Sequence, residues 1–246
     1  MSDLADDWPK LLARSALASE LLESIATVMF CLKDVDGRYV QVNRAFAERV
    51  GRRRAVDVVG RTAMDLFPED LARRYEAQDR AVLASGIPVR DMLEQITRPD
   101  GNVGWYVTNK VLVQDGDSAQ RSMGIASISV DLRTAISEDG DFLRMATTLD
   151  FLRKEFTGRL SVAQLAEVAG FTEAQLDRRV RRLFGFSTRR LITRTRVEQA
   201  ALLLATTDLR VADVAVSSGF YDHSQLNRQF KTLIGVSPSA YRSGVR

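Results

Sequence analysis

The sequence predicts two domains: an α+β domain built on an antiparallel sheet with helices, then an all-α domain holding two helix-turn-helix units. Three observations carry this. Residues 27–133 read in the order strand, strand, helices, then three strands, which suits an antiparallel sheet with helices on one face. Residues from about 151 onward are almost entirely helical and contain an internal repeat, first at a shift of 49 and then of 50 residues. Charge divides along the same line. Residues 145–246 carry 16 Lys+Arg against 9 Asp+Glu, whereas residues 1–144 carry 19 against 23. A basic module behind an acidic one is expected when one part meets phosphate and the other does not.

Taken in order, residues 1–26 form an N-terminal segment in which Trp8, Leu11, Leu12, Ala18, Leu22 and Ile25 recur at helical spacing over 8–26. Such a helix either packs on its own domain or dimerises. The α+β domain spans 27–133. Val28–Lys33 and Arg38–Val42 are strand candidates around an Asp36-Gly37 turn. Asn43 is placed to cap a short helix, Arg44–Val50, and a longer helix over 71–85 stops at Gly86. Three strands follow near 89–97, 103–113 and 123–131, separated by Pro99-Asp100-Gly101 and the turn at 114–118. Residues 134–150 read as a connector, with Ser137–Asp141 breaking the pattern, and 151–246 form the helical domain.

In the repeat, Leu160-Ser-Val-Ala-Gln-Leu-Ala-Glu-Val-Ala-Gly-Phe171 aligns with Leu209-Arg-Val-Ala-Asp-Val-Ala-Val-Ser-Ser-Gly-Phe220, and Leu176, Arg178, Leu183, Gly185 and Ser187 align with Leu226, Arg228, Leu233, Gly235 and Ser237. Each copy reads helix, glycine turn, helix. Gly170 and Gly219 fall where the turn needs a positive φ. The second helix of each copy has an apolar back (Leu176, Val180, Leu183; Leu226, Phe230, Leu233) and a front rich in hydrogen-bond donors. That is the layout of a helix that enters a DNA groove.

Composition limits the alternatives. With 45% hydrophobic and 27% charged residues and 5 prolines, the chain has ample apolar residue for two cores. It shows no apolar run of the ~18 residues a membrane span needs and no signal-peptide pattern, so a cytoplasmic location with no membrane partner is expected. Cys31 is the only cysteine, which rules out an intrachain disulfide or cysteine-rich zinc site. Its place in an apolar strand reads as a buried, inert thiol, with a redox or thiolate role as the alternative. His223 is the only histidine, so the N-terminal domain has none for a catalytic dyad or a histidine-ligated haem. Phosphate-loop and dinucleotide fingerprints are missing too. A regulator rather than an enzyme is expected, with no cofactor and no metal. Arg52-Arg53-Arg54 reads as a solvated loop.

At two places the residues resemble known families. Asp36-x-Gly37-Arg-x-Val-x-Val-Asn43-x-x-Phe46, Gly60 followed by Leu66-Phe67-Pro68, and the exit Asp131-Leu-Arg133 resemble a PAS domain, a small sensor fold, over roughly a hundred residues. From about Phe151 to Arg242 the chain resembles the AraC/XylS family of bacterial regulators. The most specific stretches are Ser218-Gly-Phe-Tyr-Asp-His-Ser-Gln-Leu-Asn-Arg-Gln-Phe-Lys231 and Gly235-Val-Ser-Pro238-x-x-Tyr241-Arg242. The resemblance implies two units at the ends of a linker helix, entering successive major-groove segments on one face of the DNA. The sequence departs from the family at Thr188, where proline often follows the serine, and in the arginine-heavy Arg178–Arg182.

The expected DNA-binding residues are Gln175, Arg178, Arg181 and Arg182 in the first unit and His223, Ser224, Gln225, Asn227, Arg228 and Lys231 in the second. Arginine can grip guanine, and glutamine or asparagine adenine, in bidentate fashion. Arg181 and Arg182 are assigned to phosphate. Asp222 is expected to cap its helix, and Ser237 and Pro238 to start a last short one. In the strand Trp105–Val113 the alternation puts Trp105, Val107, Asn109, Val111 and Val113 on one face. Taken as inward, this face makes Trp105 and Asn109 the ligand-pocket candidates. Expected partners are promoter DNA, with RNA polymerase, a small-molecule effector and a second copy of the chain as further candidates. The sensor-like domain either binds a small ligand or serves only for dimerisation or docking.

Overall fold

A computed structural model describes residues 16–97, 103–115, 118–132, 141–158 and 160–245. The start of the N-terminal helix, the Pro99-Asp100-Gly101 turn, Arg133 and residues 134–140 of the expected connector lie outside these residues, whereas 141–150 of that connector are helical. The chain divides into two compact units, Met1–Asp131 and Leu132–Arg246.

The first unit contains α1 (Ala16–Glu23), β1 (Val28–Asp34), β2 (Tyr39–Val42), α2 (Arg44–Arg49), α3 (Glu69–Ser85), β3 (Val89–Thr97), β4 (Val103–Asp115) and β5 (Ser118–Asp131). Its strands form one antiparallel sheet in the order β2-β1-β5-β4-β3, so the last strand lies between the first and the fourth. Asn43 does more than cap α2. Its Oδ1 accepts from the amides of Phe46 and Phe30, both at 3.0 Å, and its Nδ2 donates to the carbonyls of Leu22 and Val28. One buried amide thereby fastens α2, β1 and the end of α1 together, satisfying backbone groups that burial would otherwise leave unpaired. Gly86, at φ +67, ends α3 as expected.

Both faces of the sheet are covered. On one, Met29, Cys31, Tyr39, Phe46, Tyr75 and Tyr106 join a single apolar cluster. On the other, Phe30, Leu32 and Met123 pack with Leu22 of α1. The end of the N-terminal helix therefore packs on its own domain, while Leu21 and Ile25 stay exposed. At the exit, Asp131 accepts from Arg49 at 3.0 Å and from the Tyr106 hydroxyl at 2.9 Å, which pins the last strand residue to α2 and β4.

The second unit comprises α4 (Asp141–Glu155), α5 (Val162–Ala169), α6 (Glu173–Phe184), α7 (Thr188–Thr206), α8 (Val211–Ser217), α9 (His223–Ile234) and α10 (Pro238–Val245). Its core obeys the repeat: Leu165 and Val214, Ala166 and Ala215, Leu176 and Leu226, and Val180 and Phe230 are buried pairwise. The small alanines let the paired helices cross closely. The helix α7 packs against α6, α8, α9 and α10, joining the two copies. Among the described residues, no helix is long and apolar enough to cross a membrane.

Candidate nucleic-acid interface

Each copy opens its outer helix in the same way. In the first, α5 ends at Gly170 (φ +66) and Thr172 starts α6 through a capping box: the Gln175 amide donates to Thr172 Oγ1 at 3.2 Å and Gln175 Oε1 accepts from the Thr172 amide at 3.0 Å. In the second, Gly219 (φ +79) turns the chain, Asp222 Oδ1 accepts from the Gln225 amide at 2.6 Å, and Gln225 Oε1 accepts from the Tyr221 amide at 2.9 Å. Asp222 is the expected cap. The sequence reasoning missed that Gln175 and Gln225 hold the helix starts. The signal was available in Thr172 and Asp222, each followed three residues later by glutamine.

The two helices turn their apolar backs inward, with Leu176, Val180, Leu226 and Phe230 buried. Gln175, Arg178, Arg181, Arg182, His223, Ser224, Arg228 and Lys231 are exposed, and Gln225 and Asn227 are half-buried. Two arginines of the first copy are engaged. The Arg179 guanidinium stacks on Phe171, 4.1 Å from the ring centre, and Arg181 pairs with Asp177 at 2.7 Å on its own helix.

Asp177 also explains the departure at Thr188. Its Oδ1 accepts from the Thr188 amide at 2.8 Å and from the Thr188 hydroxyl at 3.1 Å. The Thr188 amide first, and Arg181 second, hold the Asp177 carboxyl below its usual range. In the second copy the matching pair is Asn227 and Pro238, and proline has no amide proton to give. Thr188→Pro should therefore cost about 1–3 kcal/mol, as for a hydrogen bond to a charged acceptor. Adding Asp177→Asn should shrink that cost; equal costs in both backgrounds in thermal melts would contradict the coupling.

The linker helix carries a second tie. Arg196 of α7 donates to the carbonyls of Phe156 at 2.7 Å and Gly158 at 2.8 Å, and Gly219 lies against the same group, so close that a Cβ there would sit 2.4 Å from the Phe156 oxygen. The turn of the second copy, the linker helix and the end of α4 thus meet at one point.

The first unit holds a cavity of about 40 Å³ between its sheet and helices. The structure corrects the expected facing of β4. Lys110 lines the cavity, and Tyr106 and Thr108 share its face, whereas Trp105 and Asn109 belong to the opposite face. Asn109 instead accepts from the amide of Asp91 at 3.1 Å, steadying an irregular stretch of β3 where Asp91 takes φ +45. Trp105 is buried without lining the cavity. Alternation told the two faces apart, but Thr108 and Lys110 gave the helix-covered face a polar look, because the Asp79 that pairs with Lys110 lies 31 residues away.

The cavity residues that sequence reasoning missed are charged. Asp79 of α3 lies between Lys33 of β1, at 2.6 Å, and Lys110 of β4, at 2.7 Å. All three are about 5% exposed, and Glu94 is 4% exposed. Burial alone would raise the Asp79 carboxyl, but Lys110 and Lys33 outweigh it and hold it at about 2. Burial pushes the Cys31 thiol up to about 11.

Two helix pairs with glycine turns, buried small-residue crossings and exposed basic outer faces define a double helix-turn-helix DNA-binding domain, here following a sheet domain of the PAS type. Comparison with known proteins agrees. The helix-turn-helix domain family matches residues 165–244 and the PAS fold family residues 22–135. The HTH-type transcriptional activator AarP of Providencia stuartii is 35% identical over 94 residues, 38% of this chain and 70% of that protein. An uncharacterized HTH-type transcriptional regulator of Staphylococcus aureus is 30% identical over 93 residues, of which the match spans only 12%. Among solved structures, the DNA-binding domain of AdpA in complex with a target DNA is 32% identical, covering 41% of this chain and 90% of that one at a TM-score of 0.39. The VqmA–ligand–DNA complex of Vibrio cholerae is 20% identical, covering 92% and 91% at 0.45. The chain belongs to the AraC-type family of helix-turn-helix transcription regulators.

Proposed function

We propose that the protein is a sequence-specific transcription activator in which the PAS-like unit senses a small ligand and the two outer helices, α6 and α9, read promoter DNA. The observation that carries the DNA part is the pair of exposed donor faces, each set at the start of a capped helix in the same position of the repeat. Activation is inferred from the relative AarP, an activator by name, and implies contact with RNA polymerase. The 40 Å³ cavity with its charged lining supports ligand sensing. A regulator rather than an enzyme is supported by Cys31, whose buried thiol, pushed up to about 11, is a poor nucleophile at neutral pH. The exposed Leu21 and Ile25 favour a second reading, in which the PAS-like unit also pairs with another copy.

In this reading Arg228, with His223, Ser224 and Asn227 around it, faces base edges in the second groove segment, and Arg178 does so in the first. Gln175 and Gln225 spend Oε1 on the cap, so each offers its amide protons alone rather than a bidentate adenine contact. Arg182 and Lys231 meet phosphate, and Arg181 does so in competition with Asp177. Arg228→Ala should weaken the cognate site by about 1–3 kcal/mol and relax preference at one base pair. Arg182→Ala should weaken all sequences alike and flatten the salt dependence. Titrations in which both variants lose affinity equally on every sequence would reject these roles.

A further inference from the structure

The polar groups that line the cavity in the PAS-like unit are not all paired with one another. Asp79 is saturated by two ammonium groups, and Lys110 also donates to Gln78 Oε1 at 3.0 Å. Glu94 is not: its Oε1 is buried and has no hydrogen-bond partner among the described residues. An ionisable oxygen shut away from water without a donor is costly, and native structures rarely leave one so unless water or a ligand completes it. Among the described residues, Lys33 uses one of its three donors, on Asp79, and stands 4.7 Å from the centre of the Tyr39 ring. The same cavity is thus lined by an acceptor that lacks a donor and by an ammonium group with donors to spare.

Charge narrows the class. Lys33 and Lys110 balance Asp79 and Glu94, so the four formal charges sum to zero. A buried ion entering this set would bring an uncompensated charge, which the surroundings penalise. Size narrows it further. A cavity of about 40 Å³ holds roughly three water-sized atoms, and its other walls include the rings of Phe46, Phe67 and Tyr75.

We infer that this cavity takes a small, uncharged molecule, or the uncharged end of a larger one, that gives an N–H or O–H to Glu94 and accepts a hydrogen bond from Lys33. The inference rests on the sensor reading above and adds the chemical class of its ligand.

Three probes of nearly equal shape test it, each presenting a polar end of three non-hydrogen atoms on a methyl group: acetamide (neutral, donor and acceptor), acetate (anion) and acetamidinium (cation). Binding to the full chain is read by ligand-observed saturation-transfer NMR at constant ionic strength. Acetamide should bind in the millimolar range, about tenfold tighter than either ion. Glu94→Gln leaves the set one charge positive and should turn the preference to acetate. Lys33→Met leaves it one charge negative and should turn the preference to acetamidinium. A loss of folding would abolish binding of all three probes and could not reorder them, and the wild-type ranking stands independently of either variant. If an ion binds the wild-type chain best, or if the ranking ignores both substitutions, the ligand class is wrong while the sensor reading survives. If none of the three binds and native mass spectrometry of the purified chain finds no bound small molecule, the sensor reading falls with it.

Discussion

Gly219→Ala is expected to destabilise the helical unit by about 2–5 kcal/mol, whereas Gly170→Ala, at the matching turn of the first copy, should cost only about 1–2 kcal/mol. Both glycines sit at positive φ, +79 and +66, so an alanine at either pays for a left-handed backbone. They differ in their surroundings. Nothing lies within 4 Å of a Cβ built at Gly170, but one at Gly219 would meet the Phe156 carbonyl oxygen at 2.4 Å and Arg196 Nε at 2.9 Å. The first of these is backbone and cannot swing aside. Relief would require breaking the Arg196 bonds to Phe156 and Gly158, which tie the linker helix to the end of α4. Helical circular dichroism should show the Gly219 variant melting lower by roughly 10 °C or more, given that 1 kcal/mol moves a domain of this size by about 4–8 °C. Its affinity for DNA should fall as well. Equal melting points for the two variants would mean that the close approach at Gly219 yields easily.

Asp79→Asn is expected to cost the PAS-like unit about 3–5 kcal/mol, the usual consequence of removing one partner from a buried ion pair. Here the substitution leaves two buried ammonium groups, Lys33 and Lys110, without the carboxylate that bridges them. Against a total stability of about 5–15 kcal/mol, that is a large share, and the midpoint of unfolding should fall accordingly. Trp105 is buried in this unit and residues 132–246 contain no tryptophan, so tryptophan fluorescence in a urea titration reports this unit separately from the helical one. The penalty should also depend on acid. The Asp79 carboxyl is held at about 2 in the folded chain and titrates near 3.9 when unfolded. Its contribution is therefore complete above about pH 5 and fades as pH falls toward 2. The gap between wild type and Asp79→Asn should be widest near neutrality and close in strong acid. A gap that stays constant from pH 7 to pH 2 would show that the charge of Asp79 is not what holds the cluster.

The helical domain was legible because its information is local and doubled. Gly170 and Gly219, the alanine crossings and the apolar backs of α6 and α9 recur within two windows of the same length, and each window specifies its helices through spacing of 3.6 residues and its turn through a glycine. Asn43, Asp222 and Gly86 act at the helix ends where their types predict, since capping involves only neighbours in sequence. The sheet domain was legible as an alternation of strands and helices for the same reason.

What the sequence could not settle lay across long separations. Asp79 reaches Lys33 and Lys110 over 46 and 31 residues, and no local pattern ties a helix aspartate to lysines on two different strands. Trp105 and Asn109 were assigned to the pocket because a period of two identifies two faces without saying which one a helix will cover; the packing of α3 over Lys33 and Lys110 decided that. Nor does the repeat reveal that Gly219 meets Phe156 and Arg196 while Gly170 meets nothing, because equal sequences in the two copies have unequal neighbours. Composition and periodicity determine which elements form and which faces they can bury. Only the assembled chain determines which groups meet, because burial and pairing belong to positions in space and not to spacing along the chain.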